Sequence, residues 1–357
     1  MKIQTEPIGS IPRPIELIEG MKAHAAGTLK MKDLDKLFES ALTDTIRRFE
    51  ATGSPVISDG EQTKPSFATY PISGMKQLDP NGVVIPFADG HTRQLPKITG
   101  GPFHYQVYAN MYLEKAKQLT GLPVKQAVIA VSVLSLLYPQ EGVAGYPQDQ
   151  FINDIVNEAE ADIRKSLDSG AYNVQIDFTE ARLSLKLDPS GGLLQSFIDL
   201  NNKVLDRFTM EEQKKIGVHS CPGGDHDSTH SADIPYADLL PFLFQLHARN
   251  FYLEYAAEKN KQAVLASIKK NIRPSQFVFI GVTNVLDPRI ETPEEIRDTI
   301  LEAAAVIPVH QLGTTDDCGF SPFADDISTA RDIAFAKIKA RIDGTRLAEA
   351  AINQVNK

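Results

Sequence analysis

The chain has no tryptophan, and its 357 residues include only two cysteines, Cys221 and Cys318. Two thiols cannot build a disulfide framework, so a reducing, cytoplasmic location is the default expectation. Each thiol must then be asked what it does as a ligand or nucleophile. Long apolar runs are missing too. The most apolar stretch, 127–138, falls short of the roughly 20 residues a bilayer-spanning helix needs, and reads as a buried strand. The opening Met1-Lys2-Ile3-Gln4-Thr5-Glu6 lacks the apolar segment of a secretory signal. Positive charge is not in excess: 37 basic against 46 acidic residues leave −9, which argues against nucleic acid or an anionic membrane as the main partner. What is present, 42% hydrophobic and 23% charged residues, suits a globular protein with a substantial core.

No repeat, low-complexity tract or Pro/Gly/Ser-rich linker divides the chain, so a single domain over 1–357 is expected. Short apolar runs recur at 2–9, 55–58, 125–134, 172–177, 215–219, 251–254, 276–283 and 308–313. Several are rich in Val and Ile without polar alternation, as strands buried on both faces are. Helical patterns lie between most of them. Over 149–170, Phe151, Ile152, Ile155, Ala159 and Ile163 recur at helical spacing and Gly170 supplies a stop. Over 292–305, Thr292-Pro293-Glu294-Glu295 opens a helix with a cap, a first-turn proline and early carboxylates. Eight strands alternating with helices predict an α/β fold, a (β/α)8 TIM barrel, with a doubly wound open sheet as the alternative. Residues 62–124 break the alternation. The turn signal Asp79-Pro80-Asn81-Gly82 suggests a hairpin excursion after strand two, reaching over the barrel mouth, or else a plain loop insertion.

Polar residues gather where the apolar runs stop: Asp59-Gly60-Glu61, Gln175-Ile176-Asp177, His219-Ser220-Cys221, Glu254 and Asp316-Asp317-Cys318. In a barrel these strand ends converge on one face, where active sites sit. Both cysteines belong to the set. His219 and Cys221, two apart on a strand, point to one side. Cys318 and Glu254 would complete a nitrogen, oxygen and two-sulfur set, whose softness favours Zn²⁺. Two thiolates and a carboxylate against Zn²⁺ leave about −1, a poor Lewis acid for hydrolysis. Such a centre still ionises an incoming thiol and leaves it nucleophilic, so the expected chemistry is alkyl transfer to sulfur. A small buried cysteine is the commoner use of that residue, and His-x-Cys alone is a weak motif.

The chain resembles the catalytic C-terminal barrel of cobalamin-independent methionine synthase along nearly its whole length. Ile8-Gly9-Ser10-Ile11-Pro12-Arg13 is similar to that family's opening strand, Asp59-Gly60-Glu61 to its second and Val174-Gln175-Ile176-Asp177 to its fourth. His219-Ser220-Cys221, Leu253-Glu254 and Asp317-Cys318-Gly319 match the zinc-ligand positions in order, and the stretch from Asp287 to Glu295 follows the seventh strand. The resemblance implies methyl transfer to the thiol of homocysteine. It places the substrate carboxylate at Ile8, Gly9 and Ser10 and the ammonium at Glu61 and Asp177, with Glu180 able to share either role.

Three departures concern the donor. The full-length synthase has a preceding second barrel, whereas a single barrel is expected from these 357 residues. The family's histidine after strand seven is absent from Thr283-Asn284-Val285-Leu286-Asp287-Pro288, and its tryptophan-bearing segment is replaced. Methyl-folate, a methylated corrinoid protein or another alkyl donor therefore all stand open. So does an epoxide-opening transfer to coenzyme M, although Glu61 and Asp177 suit an ammonium better than a sulfonate. A metal-free decarboxylase of the uroporphyrinogen decarboxylase type is the reading from another class. Asp177, His226 and His230 are the acid/base candidates, the two histidines lying in the glycine-rich segment that follows Cys221.

Overall fold

Parallel strands covered on both faces are buried at every position and largely apolar, and 174–177, 216–220, 250–253 and 277–281 are buried throughout. A computed structural model describes residues 2–355. It places seven strands in one sheet: β1 (Gln4–Thr5), β2 (Gln126–Ile129), β3 (Val174–Asp177), β4 (Ile216–Ser220), β5 (Asn250–Leu253), β6 (Phe277–Gly281) and β7 (Leu312–Thr315). Every pairing is parallel, and the order β1-β7-β6-β5-β4-β3-β2 makes chain neighbours spatial neighbours. The eighth place is taken by the segment around Ile57. Its N–H donates to Pro123 O at 3.0 Å, and its carbonyl accepts from Lys125 N–H at 2.8 Å. On the other side Ser58 Oγ donates to Gly9 O at 2.7 Å, and Ile11 N–H to Gly60 O at 3.0 Å. The ring therefore closes, and the fold is the expected TIM-barrel type.

The helix at Gln148–Asp168 turns Phe151, Ile155, Ala159 and Ile163 inward, and Gly170 follows at φ +79°. At Pro293–Ala304 the Thr292 hydroxyl accepts from Glu295 N–H while the Glu295 carboxylate accepts from Thr292 N–H, a reciprocal cap. Three expectations need correction. The run 125–134 is a strand only to Ile129; Val131–Ser135 is a short helix. Burial on every side removes the periodicity that distinguishes the two. In 308–313, Val309–Gln311 form a 3-10 turn, and the strand begins at Leu312 and runs on to Thr315. The run 55–58 makes one isolated bridge, Ile57 to Val124, in place of a ladder.

Within 62–124 two antiparallel ribbons form, Leu78–Asp79 with Lys97–Ile98 and Val84–Pro86 with Thr92–Gln94. Asp79-Pro80-Asn81-Gly82 links the first ribbon to the second. The tip lies at 87–91, where Phe87 N–H donates to His91 O at 2.9 Å and Gly90 takes φ +93°. Among the described residues no helix is long and apolar enough to cross a membrane.

Candidate functional site

Register puts the chemistry together: Asp177 of β3 pairs with His219 of β4, and His219 with Tyr252 of β5. Cys221 is the first residue beyond β4, and Cys318 follows β7 by three residues. The ligand atoms of His219, Cys221 and Cys318 all lie within 4.8 Å of one another, and all three residues are buried. The two sulfurs are 3.0 Å apart, well beyond the roughly 2.05 Å of a disulfide. Their mutual hydrogen bond splits them: it raises the Cys221 thiol, with burial adding, and holds Cys318 well below the ordinary thiol range, with His219 assisting. Burial pulls His219 down, but Cys318 and Asp177 outweigh it and its pKa moves up. His219 Nδ1 lies 3.1 Å from Tyr252 O, an acceptor only, so Nδ1 carries the proton. In the neutral ring, the form that binds a metal, Nε2 presents a lone pair; this atom is buried and makes no hydrogen bond. A histidine fixed in this way beside two sulfurs is the donor set a soft divalent ion takes.

Glu254 stands outside that trio. Its Oε2 accepts from Arg182 Nη1 at 2.8 Å. Arg182 is held in turn by Glu258 at 2.8 Å and by the carbonyls of Ile234 and Ala232 at 2.7 and 3.1 Å. Burial, then Asp317, drives the Glu254 carboxyl well above its ordinary range. Asp317 shapes the turn that carries Glu254. Its carboxylate accepts the N–H groups of Tyr255, Ala256 and Ala257 at 2.9, 2.8 and 2.7 Å.

Four of the five residues assigned to the substrate amino-acid end meet here too, and Gly9 lies between two of them in the chain. Ile8, Ser10, Glu61 and Asp177 line one cavity of about 70 Å³ with His219, Cys221 and Cys318. Glu61 sits at φ +55°, and its Oε1 accepts from buried Lys64 Nζ at 2.9 Å. Lys64 is raised by Glu61 and Asp59 against the pull of burial. Burial, with Glu61 adding, lifts Asp177 to about 6, and its Oδ1 accepts from Gln175 Nε2 at 2.7 Å. Ser10 Oγ accepts from Ser321 N–H at 3.2 Å. A Cβ on Gly319 would fall 2.1 Å from that hydroxyl, so glycine is what lets the last loop reach the first strand.

Of the two histidines after Cys221, only His230 reaches this space. It lines the cavity and also a larger chamber of about 480 Å³, which shares Phe67, Ile85, Arg93, Thr179 and Phe323 with it. Burial, then Lys186 and Arg182, lowers His230 to about 4. His226, at φ +47°, belongs instead to a group with Asp225 and Asp326, and Arg93 Nη2 lies 3.1 Å from its Nε2. The ribbon at Val84–Pro86 and Thr92–Gln94 thus contributes Ile85 and Arg93 to the wall.

Residue types alone did not single out three positioning groups: Arg182, Asp317 and Arg13. Arg13 is buried, and burial lowers it to about 10. Its guanidinium donates to the carbonyls of Glu61 and Lys64 at 2.6 and 2.8 Å, and to those of Phe323 and Ser321 at 3.1 and 3.4 Å. The only signal was its place in Ile8-Gly9-Ser10-Ile11-Pro12-Arg13.

Known proteins align with this geometry. The chain is 21% identical to a methionine synthase of Sulfurisphaera tokodaii over 97% of its own length and 92% of that protein's. It is 24% identical to a 5-methyltetrahydropteroyltriglutamate–homocysteine methyltransferase of Trichodesmium erythraeum over 94% of this chain, but only 44% of that longer one. Among solved structures, a B12-independent methionine synthase from Shewanella, determined with selenomethionine, superposes at a TM-score of 0.78 with 17% identity, covering 99% of this chain and all of the other. A protein from Listeria monocytogenes titled as a putative vitamin-B12 independent methionine synthase gives 0.71 at 18% identity, covering 97% and 98% of the two chains. Residues 3–330 match the family described as the catalytic domain of cobalamin-independent synthase, and the chain belongs to that family of methyltransferases.

Proposed function

We propose that this protein moves a methyl group from a 5-methyl-tetrahydrofolate to the thiol of homocysteine, at one zinc ion held by His219, Cys221, Cys318 and Glu254. The observation carrying this reading is the unpartnered Nε2 of His219 facing two sulfurs 3.0 Å apart. Zinc bound there supplies the positive charge that lets a thiol ionise near neutral pH. Arg182 engages Oε2 of Glu254, which leaves Oε1 for ligation. Glu61 and Asp177 take the ammonium group, charge-assisted bonds being the strong ones. The backbone of Ile8, Gly9 and Ser10 takes the carboxylate.

Asp177, lifted toward neutrality, and His230, at the junction of cavity and chamber, are the acid/base candidates that line the thiol cavity; His226 is tied into its own cluster. The Shewanella neighbour, solved with a selenium analogue of methionine, supports a methionine-shaped cavity. A relative named for a methylated folate, and a family named as cobalamin-independent, favour folate over a corrinoid donor. Family membership likewise displaces the metal-free decarboxylase.

Zinc-loaded protein should form methionine from homocysteine and 5-methyltetrahydrofolate, read by mass spectrometry beside parallel arms with methylcobalamin and with coenzyme M. Product confined to either parallel arm, or none at all, sinks the proposal.

A further inference from the structure

The 480 Å³ chamber next to the thiol cavity is walled by Val133, Leu136, Leu183 and Phe197 and holds one carboxyl group with no counter-charge, Glu180. Glu180 opens the short helix Glu180–Leu187, three residues after Asp177, and only 5% of it is exposed. The Ser132 hydroxyl donates to its Oε1. Ser132 Oγ itself accepts from Asn201 Nδ2 at 2.7 Å, and Asn201 Nδ2 also donates to Phe197 O at 3.0 Å. This chain of donors fixes the carboxyl plane and assigns Oε1 as its acceptor end. Oε2 is buried and has no partner.

The chamber's cations are engaged elsewhere. Arg93 is bound to Asp225 and Asp325, and Lys186 to Asp233 and the His230 carbonyl, each at 3.0 Å. His230 is held neutral, and the carboxylate that Glu180 feels is Asp177. An uncompensated carboxylate in apolar surroundings keeps its proton. Burial pushes Glu180 up to about 8.

We propose that Glu180 is the general acid of the donor chamber, delivering the proton on Oε2 to the nitrogen that departs when the methyl group leaves it. This rests on the methyl-folate reading above. In the step, the substrate thiolate attacks the methyl carbon. The S–C bond forms as the C–N bond breaks, the electron pair stays on nitrogen, and the Oε2 proton joins it. The products are a thioether, a secondary amine and the Glu180 carboxylate, which regains a proton from solvent after the products leave. A neutral acid near the operating pH suits this task, because it is protonated beforehand and gives up its proton without a large penalty.

Glu180→Gln keeps the acceptor for Ser132 and the volume but has no proton to give. Its kcat for methionine formation should fall about 10²–10⁴-fold, the usual worth of a general acid, with KM for homocysteine unchanged. The alkaline limb of the wild-type kcat profile, near pH 8, should vanish in the variant. Independently of turnover, infrared spectra of the wild-type protein at pH 7 should show a protonated-carboxyl carbonyl band that is lost in Glu180→Gln. Should that variant fail to fold, Ser132→Ala, which leaves the acid but frees Oε1, assigns the band by shifting it. Wild-type turnover in Glu180→Gln, or no such band at pH 7, overturns the assignment of Glu180 alone. Wild-type protein that makes no methionine overturns the methyl-folate reading and the proton-donor role with it.

Discussion

Arg13 bridges two loops beside the thiol cavity, next to their one backbone bridge at Ser66 and Phe323, and removing it offers a quantitative test. Its guanidinium donates to the Glu61 and Lys64 carbonyls at 2.6 and 2.8 Å on one side and to the Phe323 carbonyl at 3.1 Å on the other. Hydrogen bonds from a charged donor contribute about 1.5–3 kcal/mol each, so the two short ones together represent roughly 3–6 kcal/mol. Water entering the vacated space recovers part of this, and the longer third bond adds a little. A net loss of about 3–5 kcal/mol is therefore expected for Arg13→Ala, measured from urea unfolding of the metal-free protein.

Function should suffer by a separate route. Glu61 sits at φ +55° with its carbonyl in the Arg13 fork, so releasing the fork lets the turn relax and KM for homocysteine rise. Arg13→Lys separates charge from geometry. A lysine preserves the charge beside Glu61 and Asp59, yet its single nitrogen cannot serve both loops. It should recover less than half of the lost stability. The bridging explanation fails if Arg13→Ala unfolds within 1 kcal/mol of wild type, about the worth of one ordinary hydrogen bond, or if Arg13→Lys is indistinguishable from wild type.

Cys318→Ser should lower zinc affinity by more than roughly a hundredfold in chelator competition, since even an outer partner of a ligand is worth about 10–100-fold; retained zinc would refute the ligand assignment. Gly223→Ala should cost about 1–2 kcal/mol from its left-handed backbone alone, and more because its Cβ would sit 1.7 Å from His230 Nε2. In a His230→Ala background only the backbone part should remain, and an unchanged loss there contradicts the clash. His230 has its folded pKa, about 4, below the ordinary value of 6.5. Its contribution is therefore present above pH 6.5 and lost as pH falls toward 4, by about 3 kcal/mol at most. Urea midpoints should drop more steeply on acidification in wild type than in His230→Gln; parallel curves argue against it.

His219, Cys221 and Cys318 were legible because the residue types are rare and each lies at or just past the end of an apolar run. Glu61 and Asp177 could be placed by motif order, but not the Lys64 nitrogen that already occupies one oxygen of Glu61. Arg182 and Asp317 act on Glu254 and Tyr255, more than 50 residues away in sequence, so their roles exist only once β3 to β7 have assembled in one sheet. The run 125–134 hid a strand followed by a helix because both are buried all round. The protonation of Glu180 depends on the chamber around it, which composition does not reveal.

The joint between β1 and the segment at Ile57 has a consequence for elasticity. From β2 to β7 the sheet is laced by ladders of main-chain bonds, but here the main chain supplies one bond, Ile11 N–H to Gly60 O, and side chains supply the rest: Ser58 to Gly9 O, Gln62 to Ile11 O and Arg13 to Glu61 O. Such a seam yields before a ladder does, so amide hydrogen exchange should be fastest there among the barrel edges. Gly9, Ser10 and Glu61 flank that seam. A joint without a ladder is thus a wall of the thiol cavity, and breathing there would open that wall without prising apart any paired strand.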